Sequence, residues 1–154
     1  MPNSLTQPTG AQIVAFFPSP GGALSVIGSL GEDTIDALVT NWPLSNPILI
    51  ATTRIRELFE DPDDLTDLEF LDANPALYWA CIWELLKYDR SSQALIPNQQ
   101  GGNLNYQGYE TQMAHCLENV SRHLMALNIR ESAYHYSPAS QIARVGGKCT
   151  YYNG

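Results

Sequence analysis

The sequence predicts a mainly helical fold: a domain of four to five helices with a small N-terminal β-hairpin element and extended N- and C-terminal arms. Several segments repeat apolar residues at intervals of three and four, which is the period of an α-helix. Two Asn-Pro pairs mark helix starts, because Asn caps the first N–H groups and Pro fits the first turn. A chain of 154 residues can bury one core without disulfides or metals. We therefore expect a single helical domain over 11–137, between an arm at 1–10 and a tail at 138–154.

The N-terminal region has a pattern different from that of the helices. Residues 1–10 are polar and contain two prolines and a glycine, which favours a flexible or extended arm. Gln12–Phe17 is rich in β-forming side chains, and a Pro- and Gly-rich stretch separates it from a second apolar run at 23–30. Two such runs around a turn predict a β-hairpin. In an alternative interpretation, the second run belongs to a loop or to a buried turn of helix.

Three helices are predicted in the first two thirds of the chain, over 33–42, 48–60 and 75–89. The second follows Asn46-Pro47 and the third follows Asn74-Pro75. The third helix is apolar on nearly all of its sides, which is typical of a helix that is central to a core or shared with a neighbouring subunit. We therefore expect this helix, with Trp83 in it, to form the hydrophobic centre of the molecule.

An acidic connection, residues 57–72, holds eight of the sixteen Asp and Glu residues of the chain. A calcium-binding loop that began at Asp61 would have Leu65 where an oxygen ligand is needed and Thr66 where a glycine makes the turn. Its twelfth position is Asp72 rather than the usual bidentate Glu. These defects favour a solvated acidic turn between two helices. A weak site for a divalent cation or for a cationic partner is the alternative.

The last predicted helix covers 106–128 and follows a polar, glycine-containing loop at 90–105. Its apolar residues, among them Tyr109, Met113 and Leu117, recur at spacings of three and four over about three heptads. This pattern predicts an apolar seam along one side of the helix.

The sequence contains no pattern that indicates catalysis, cofactor binding or a metal site. Cys81, Cys116 and Cys149 are odd in number, and none has zinc-ligand spacing. His115 and His123 are eight positions apart, which places them about 12 Å apart along a helix and too far to share a metal ion. Serine-hydrolase, P-loop and dinucleotide-binding motifs are absent from the sequence. We therefore expect a protein that is not an enzyme and that uses no cofactor or metal.

Charge argues against two classes of partner. Sixteen acidic residues stand against eight basic ones, for a formal net charge of −8. A nucleic-acid surface and an anionic membrane both require clustered cations, and the sequence has no such cluster. The first ten residues lack a signal-peptide pattern, and the longest apolar run is far below the ~20 residues of a membrane span. We expect a cytoplasmic protein or one assembled in a virion, without direct contact to nucleic acid or membrane.

Contact with other proteins is the function that remains. Only 16% of the residues are charged, which is common in a subunit packed against other subunits. We expect a structural assembly subunit in a homo-oligomer or larger complex, whose partners are other copies and neighbouring protein subunits. In general character the chain resembles the small helical ring subunits of connector or neck type that join the head and tail of bacterial viruses. The alternative is a small helical module that binds a peptide or metabolite. The interface candidates are Tyr78, Trp79, Trp83, Tyr109, Met113, Leu117, Val145, Tyr151 and Tyr152.

Overall fold

The computed structural model describes residues 3–16, 31–94 and 102–129, with side chains described throughout except at 90–94 and 102–109. This part of the chain contains five helices and no strand, so the prediction of a mainly helical fold is confirmed. The helices are α1 (Gly10–Phe16), α2 (Glu32–Asn41), α3 (Pro47–Arg56), α4 (Asp67–Ala94) and α5 (Gly102–Ala126).

The predicted N-terminal β-hairpin is wrong for its first half, because Gln12–Phe17 falls almost entirely within α1. Thr9 and Gln12 form a reciprocal cap: the Gln12 amide donates to Thr9 Oγ1 at 3.2 Å, and the Thr9 amide donates to Gln12 Oε1 at 2.9 Å. This capping box satisfies two N–H groups at the helix start, and burial of Ile13 fixes the inner face. Capping and packing thus outweigh β-propensity here. The second half of the predicted hairpin, 23–30, lies outside the described residues.

The α2–α3 corner follows the sequence prediction closely. The Asn46 side chain accepts a hydrogen bond from the Leu49 amide at 2.8 Å, so the predicted N-cap of α3 is confirmed. Helix α3 ends at Arg56 rather than at residue 60, because the next amides bond three residues back: Leu58 to Ile55 O and Phe59 to Arg56 O, both at 3.1 Å. The tighter turn closes the helix before the acidic connection begins.

Helix α4 is longer than the sequence predicts, since it runs without a break through Pro75. It begins after Thr66, which shares a second capping box with Glu69: Thr66 N donates to Glu69 Oε1 at 2.9 Å and Glu69 N to Thr66 Oγ1 at 3.2 Å. The Asn74-Pro75 pair therefore lies inside a helix and does not start one. Helix α4 packs against α1, α3 and α5, which confirms its central place, although Trp83 itself is only half-buried.

Helix α5 lies along α4 and buries part of the seam that its spacing predicts. Met113, Val120 and Leu124 are buried, whereas Leu117 is half-buried, and Cys116 joins the buried side of the helix. The helix ends in a turn at Leu127 and Asn128, where Asn128 adopts a positive φ of 62°. A left-handed residue at this position is a common helix terminator, and here it lets the Ile129 amide donate to Leu124 O at 2.9 Å.

Residues 3–9 lie against the connection between α3 and α4. Leu5 is fully buried, its amide donates to Pro62 O at 2.9 Å, and the Leu65 amide donates to Asn3 O at 3.0 Å. Asn3 and Leu65 thereby form an isolated antiparallel bridge. The N-terminal segment is therefore part of the packed structure. Its anchor is Leu5, a single apolar side chain in a segment that is otherwise mostly polar.

Candidate interaction site

A cleft of about 390 Å³ opens where α2, α3 and α4 meet. One side is the end of α2 and the turn that follows it, the second is α3 from Pro47 to Arg54, and the third is the part of α4 from Glu84 to Tyr88. Its volume lies within the range of sites that hold small ligands or anchor side chains of a protein partner. The lining residues are Leu38, Trp42, Ser45, Asn46, Pro47, Ile50, Arg54, Glu84, Lys87 and Tyr88.

A charged group of three residues forms part of the cleft lining. The Glu84 side chain is only 2% exposed, and Arg54 Nη1 lies 2.6 Å from its Oε2 while Lys87 Nζ lies 3.2 Å from its Oε1. A buried carboxylate requires such partners, because its charge is costly to remove from water. Lys87 also lies 4.6 Å from the centre of the Trp83 ring, in cation–π geometry. The cleft lining thus contains two basic side chains and one acidic one, in a chain of net charge −8.

The rim of the cleft is apolar and exposed. Trp42 is 60% exposed, Tyr88 is 41% exposed, and Leu44, in the adjoining turn, is 89% exposed. The turn is fixed from below, because the buried Asn46 side chain donates to Trp42 O at 3.0 Å. Large apolar side chains held on a rigid turn and grouped around a cleft are typical of a surface that contacts another molecule.

The predicted interface residues of α4 and α5 occupy mainly internal positions. Tyr78 stacks on Phe16 with ring centres 4.8 Å apart, and Trp79 meets Phe16 edge-on at 5.9 Å and His115 at 5.3 Å. These half-buried rings therefore join α1, α4 and α5.

The remaining predicted interface residues fall into four groups. Trp83 is half-buried, with Lys87 Nζ 4.6 Å from the centre of its ring. Met113 is buried and Leu117 is half-buried against the core. The side chain of Tyr109 is not described. Val145, Tyr151 and Tyr152 lie outside the described residues.

The residues around the cleft were not predicted as a site. Trp42 falls within the predicted helix 33–42, yet in the structure it lies at the C-cap of α2. A signal was present in the chain: Trp42, Pro43 and Leu44 form an apolar stretch in a connection that prolines confine to a turn. Large apolar residues in such a short turn cannot all point into the core, which predicts exposure.

The acidic segment contains an internal ion pair at the position where a calcium loop needs a ligand. Asp63 accepts from Arg56 Nη1 at 2.9 Å and Nη2 at 3.0 Å, and from Ser4 Oγ at 2.7 Å. These hydrogen bonds, from Arg56 first and Ser4 second, lower the pKa of Asp63 from 3.8 to about 2. Within the ranges described, no three His, Cys, Asp or Glu side chains are grouped so as to hold a metal ion.

The cysteine and histidine side chains of the described residues pack in the core or pair with neighbouring side chains. Burial raises the pKa of the Cys116 thiol to about 12 and that of Cys81 well above its ordinary value. Both thiols are thus protonated near neutral pH, which is unfavourable for a nucleophile. His123 Nδ1 lies 3.0 Å from Asp72 Oδ1 and links α5 to α4. Cys149 lies outside the described residues.

No described helix combines the length and the apolar character that crossing a bilayer requires. The chain matches no protein-family model, no curated protein and no solved structure.

Proposed function

We propose that this protein is a non-enzymatic assembly subunit that self-associates through the surface around the α2–α3–α4 cleft. A ring subunit of the virion connector or neck type is the more specific form of this proposal. The observation that carries it is the exposed apolar rim of Trp42, Leu44 and Tyr88 beside a concave surface. Covering a large apolar side chain contributes roughly 1.5–3 kcal/mol, so this rim supplies a substantial part of an interface.

The rigid position of the rim supports the same proposal. Asn46 connects the turn to both neighbouring helices, because it accepts from Leu49 N and donates to Trp42 O. A surface that is already fixed loses little conformational entropy on association. Its apolar side chains therefore retain most of their burial energy in the interface.

Self-association of Leu44→Ser and Leu68→Ser variants tests the proposal with a matched pair. Leu44 is 89% exposed beside the cleft, and Leu68 is 77% exposed at the start of α4. We expect Leu44→Ser to raise the dissociation constant of the assembly at least about tenfold, since it removes apolar area from the interface. Leu68→Ser should leave it unchanged. Sedimentation velocity over a range of concentrations measures both, with circular dichroism to verify folding.

A peptide- or metabolite-binding module is the second candidate, and the charged lining of the cleft favours it. Apolar walls with a few convergent polar groups are the usual composition of a small-ligand site. This alternative predicts a wild-type protein that stays monomeric at every concentration and that gains thermal stability with a ligand in the cleft. A monomer in sedimentation would therefore contradict self-assembly and leave the binding module.

A further inference from the structure

We infer that the cleft binds the acidic turn of a second copy, residues 57–64, so that copies join head to tail. This inference rests on the proposed function, because it names the partner segment of the self-association. It follows from the charge distribution of the described residues and from the apolar side chains that both surfaces carry.

Charge complementarity selects the acidic turn as the occupant. The cleft contains Arg54 and Lys87, which outnumber the one carboxylate between them. The turn contains the exposed carboxylates of Glu57, Glu60, Asp61 and Asp64. Opposite potentials steer two surfaces together and disfavour contacts between like ones, so cleft against cleft and turn against turn are both disfavoured.

The turn also carries apolar groups for the apolar rim. Leu58 and Phe59 lie between the carboxylates and are half-buried at the edge of the core, with part of each surface exposed. Trp42 and Tyr88 on the cleft rim can cover this remaining surface in the neighbouring copy. An interface with an apolar centre and charged groups around it has the ordinary anatomy of a protein–protein contact.

The cleft lining extends along α3 from Pro47 to Arg54, and the acidic turn begins directly after the helix, at Glu57. The two surfaces are therefore different patches of the same molecule. A contact between different patches, repeated from copy to copy, yields a closed ring or an open filament.

The acidic turn is held in a fixed shape by its own chain. Asp63 is paired with Arg56 and Ser4, which anchors the turn to α3 and to the N-terminal segment. The neighbouring carboxylates of Glu60 and Asp64 are exposed. The turn is therefore a preformed acidic surface.

A charge series at Ser45 tests the cleft half of the contact. Ser45 is exposed and lines the cleft, so substituting its side chain removes no part of the Glu84 ion pairs. An exposed ion pair changes an equilibrium constant by roughly two- to fivefold. We expect Ser45→Glu to weaken self-association by that factor and Ser45→Lys to strengthen it by a similar one. Raising salt from about 0.1 M to about 1 M should diminish both effects, because it shortens the Debye length from roughly 10 Å to 3 Å.

A mixing experiment tests the pairing of cleft and turn directly. Glu60→Lys reverses a charge on the acidic turn and, like Ser45→Glu, should weaken self-association when the variant is alone. Mixed in equal amounts, the two variants should associate more tightly than either alone. In an alternating array the altered cleft of one variant meets the altered turn of the other, and the remaining contacts are those of the wild type. Sedimentation velocity on the singles, the mixture and the wild type gives the four equilibria.

Each result bears on the inference in a definite way. Opposite effects of Ser45→Glu and Ser45→Lys, with recovery on mixing, support it. If the wild type forms an oligomer and none of the three substitutions changes its dissociation constant, the inference is overturned and the proposed function stands. Weakening by both Ser45→Glu and Glu60→Lys without recovery on mixing overturns the pairing of cleft with turn. A wild-type protein that is monomeric at every concentration overturns both the inference and the proposed function.

Discussion

The Arg56 side chain joins three segments of the chain: the end of α3, the N-terminal segment and the acidic turn. Its Nη1 atom donates to Leu5 O at 2.5 Å and to Asp63 Oδ1 at 2.9 Å, and its Nη2 atom donates to Asp63 Oδ2 at 3.0 Å. The guanidinium has the planar geometry that this fork of acceptors requires, which lysine lacks. A single side chain at the end of α3 thus holds both the N-terminal segment and the acidic turn.

The Arg56–Asp63 pair predicts a contribution to stability that depends on pH. Asp63 has a pKa of about 2 in the folded chain against 3.8 ordinarily, so its stabilising contribution is present above about pH 4 and is lost as the pH falls toward 2. We expect the melting temperature of the wild type to fall further between pH 5 and pH 2.5 than that of Asp63→Asn, which has no charge to lose. Thermal melts of both proteins at these pH values measure the difference, and Asp64→Asn serves as the matched control. Equal slopes for all three proteins would contradict the role given to Asp63.

The sequence could reveal the acidic segment but not the partners of Asp63. Its defects as a calcium loop are visible in Leu65 and Thr66, and they predicted a solvated turn. The pairing with Arg56 depends on how the chain bends after α3, and the contact with Ser4 spans 59 positions in sequence. Contacts of this kind arise from tertiary packing, and no local pattern encodes them.

At the scale of the helix, the predictions from sequence differ most from the structure at the positions where helices begin and end. Asn46 was predicted correctly as the start of α3, since its cap requires only local residues. Thr9 and Gln12 have the same local character, and the strand prediction overlooked them because β-forming side chains follow. Pro75 misled the prediction for a different reason: a proline usually begins or ends a helix, yet the packing of α4 between α3 and α5 stabilises the helix through it.

The Asn46 cap predicts a stability effect with a graded control. Asn46→Ala removes the acceptor for the Leu49 amide and the donor to Trp42 O, in a buried position. Loss of an N-cap costs about 0.5–2 kcal/mol and loss of the second hydrogen bond costs about 0.5–1.5 kcal/mol. Because Trp42 O keeps the Ser45 amide as a donor, we expect a total loss of roughly 1–3 kcal/mol. Asn46→Asp keeps the acceptor and should lose less. Urea denaturation provides both values, and equal losses for the two variants would show that the cap hydrogen bond contributes nothing.

At the scale of the whole molecule, the described structure is organised around α4. This helix packs against α1, α3 and α5, and its apolar character on nearly all sides was visible in the sequence. The sequence did not show which aromatic side chains of α4 would stay half-exposed, because their exposure depends on where the neighbouring helices end. Trp83 lies at such an edge, where Lys87 covers its ring.

The reactivity of the two buried cysteines shows whether the described helices unfold together as one cooperative unit. Cys81 lies on α4 beside Thr52 of α3, and Cys116 lies on α5 in the seam against α4. Each thiol therefore becomes accessible only when one of the two main helix contacts separates. If the described helices unfold cooperatively, both cysteines react with a thiol reagent at the same rate, which is set by global unfolding.

We expect equal labelling rates at Cys81 and Cys116 in a Cys149→Ser variant, measured by mass spectrometry of the labelled peptides after reaction with a disulfide reagent. Adding Asn46→Ala should accelerate both by the same factor, because a loss of roughly 1–3 kcal/mol in stability multiplies the population of the open state by about 5- to 150-fold. Faster labelling of Cys116 that Asn46→Ala leaves unchanged would contradict a single cooperative unit. It would show instead that α5 separates from α4 while the contact between α3 and α4 persists.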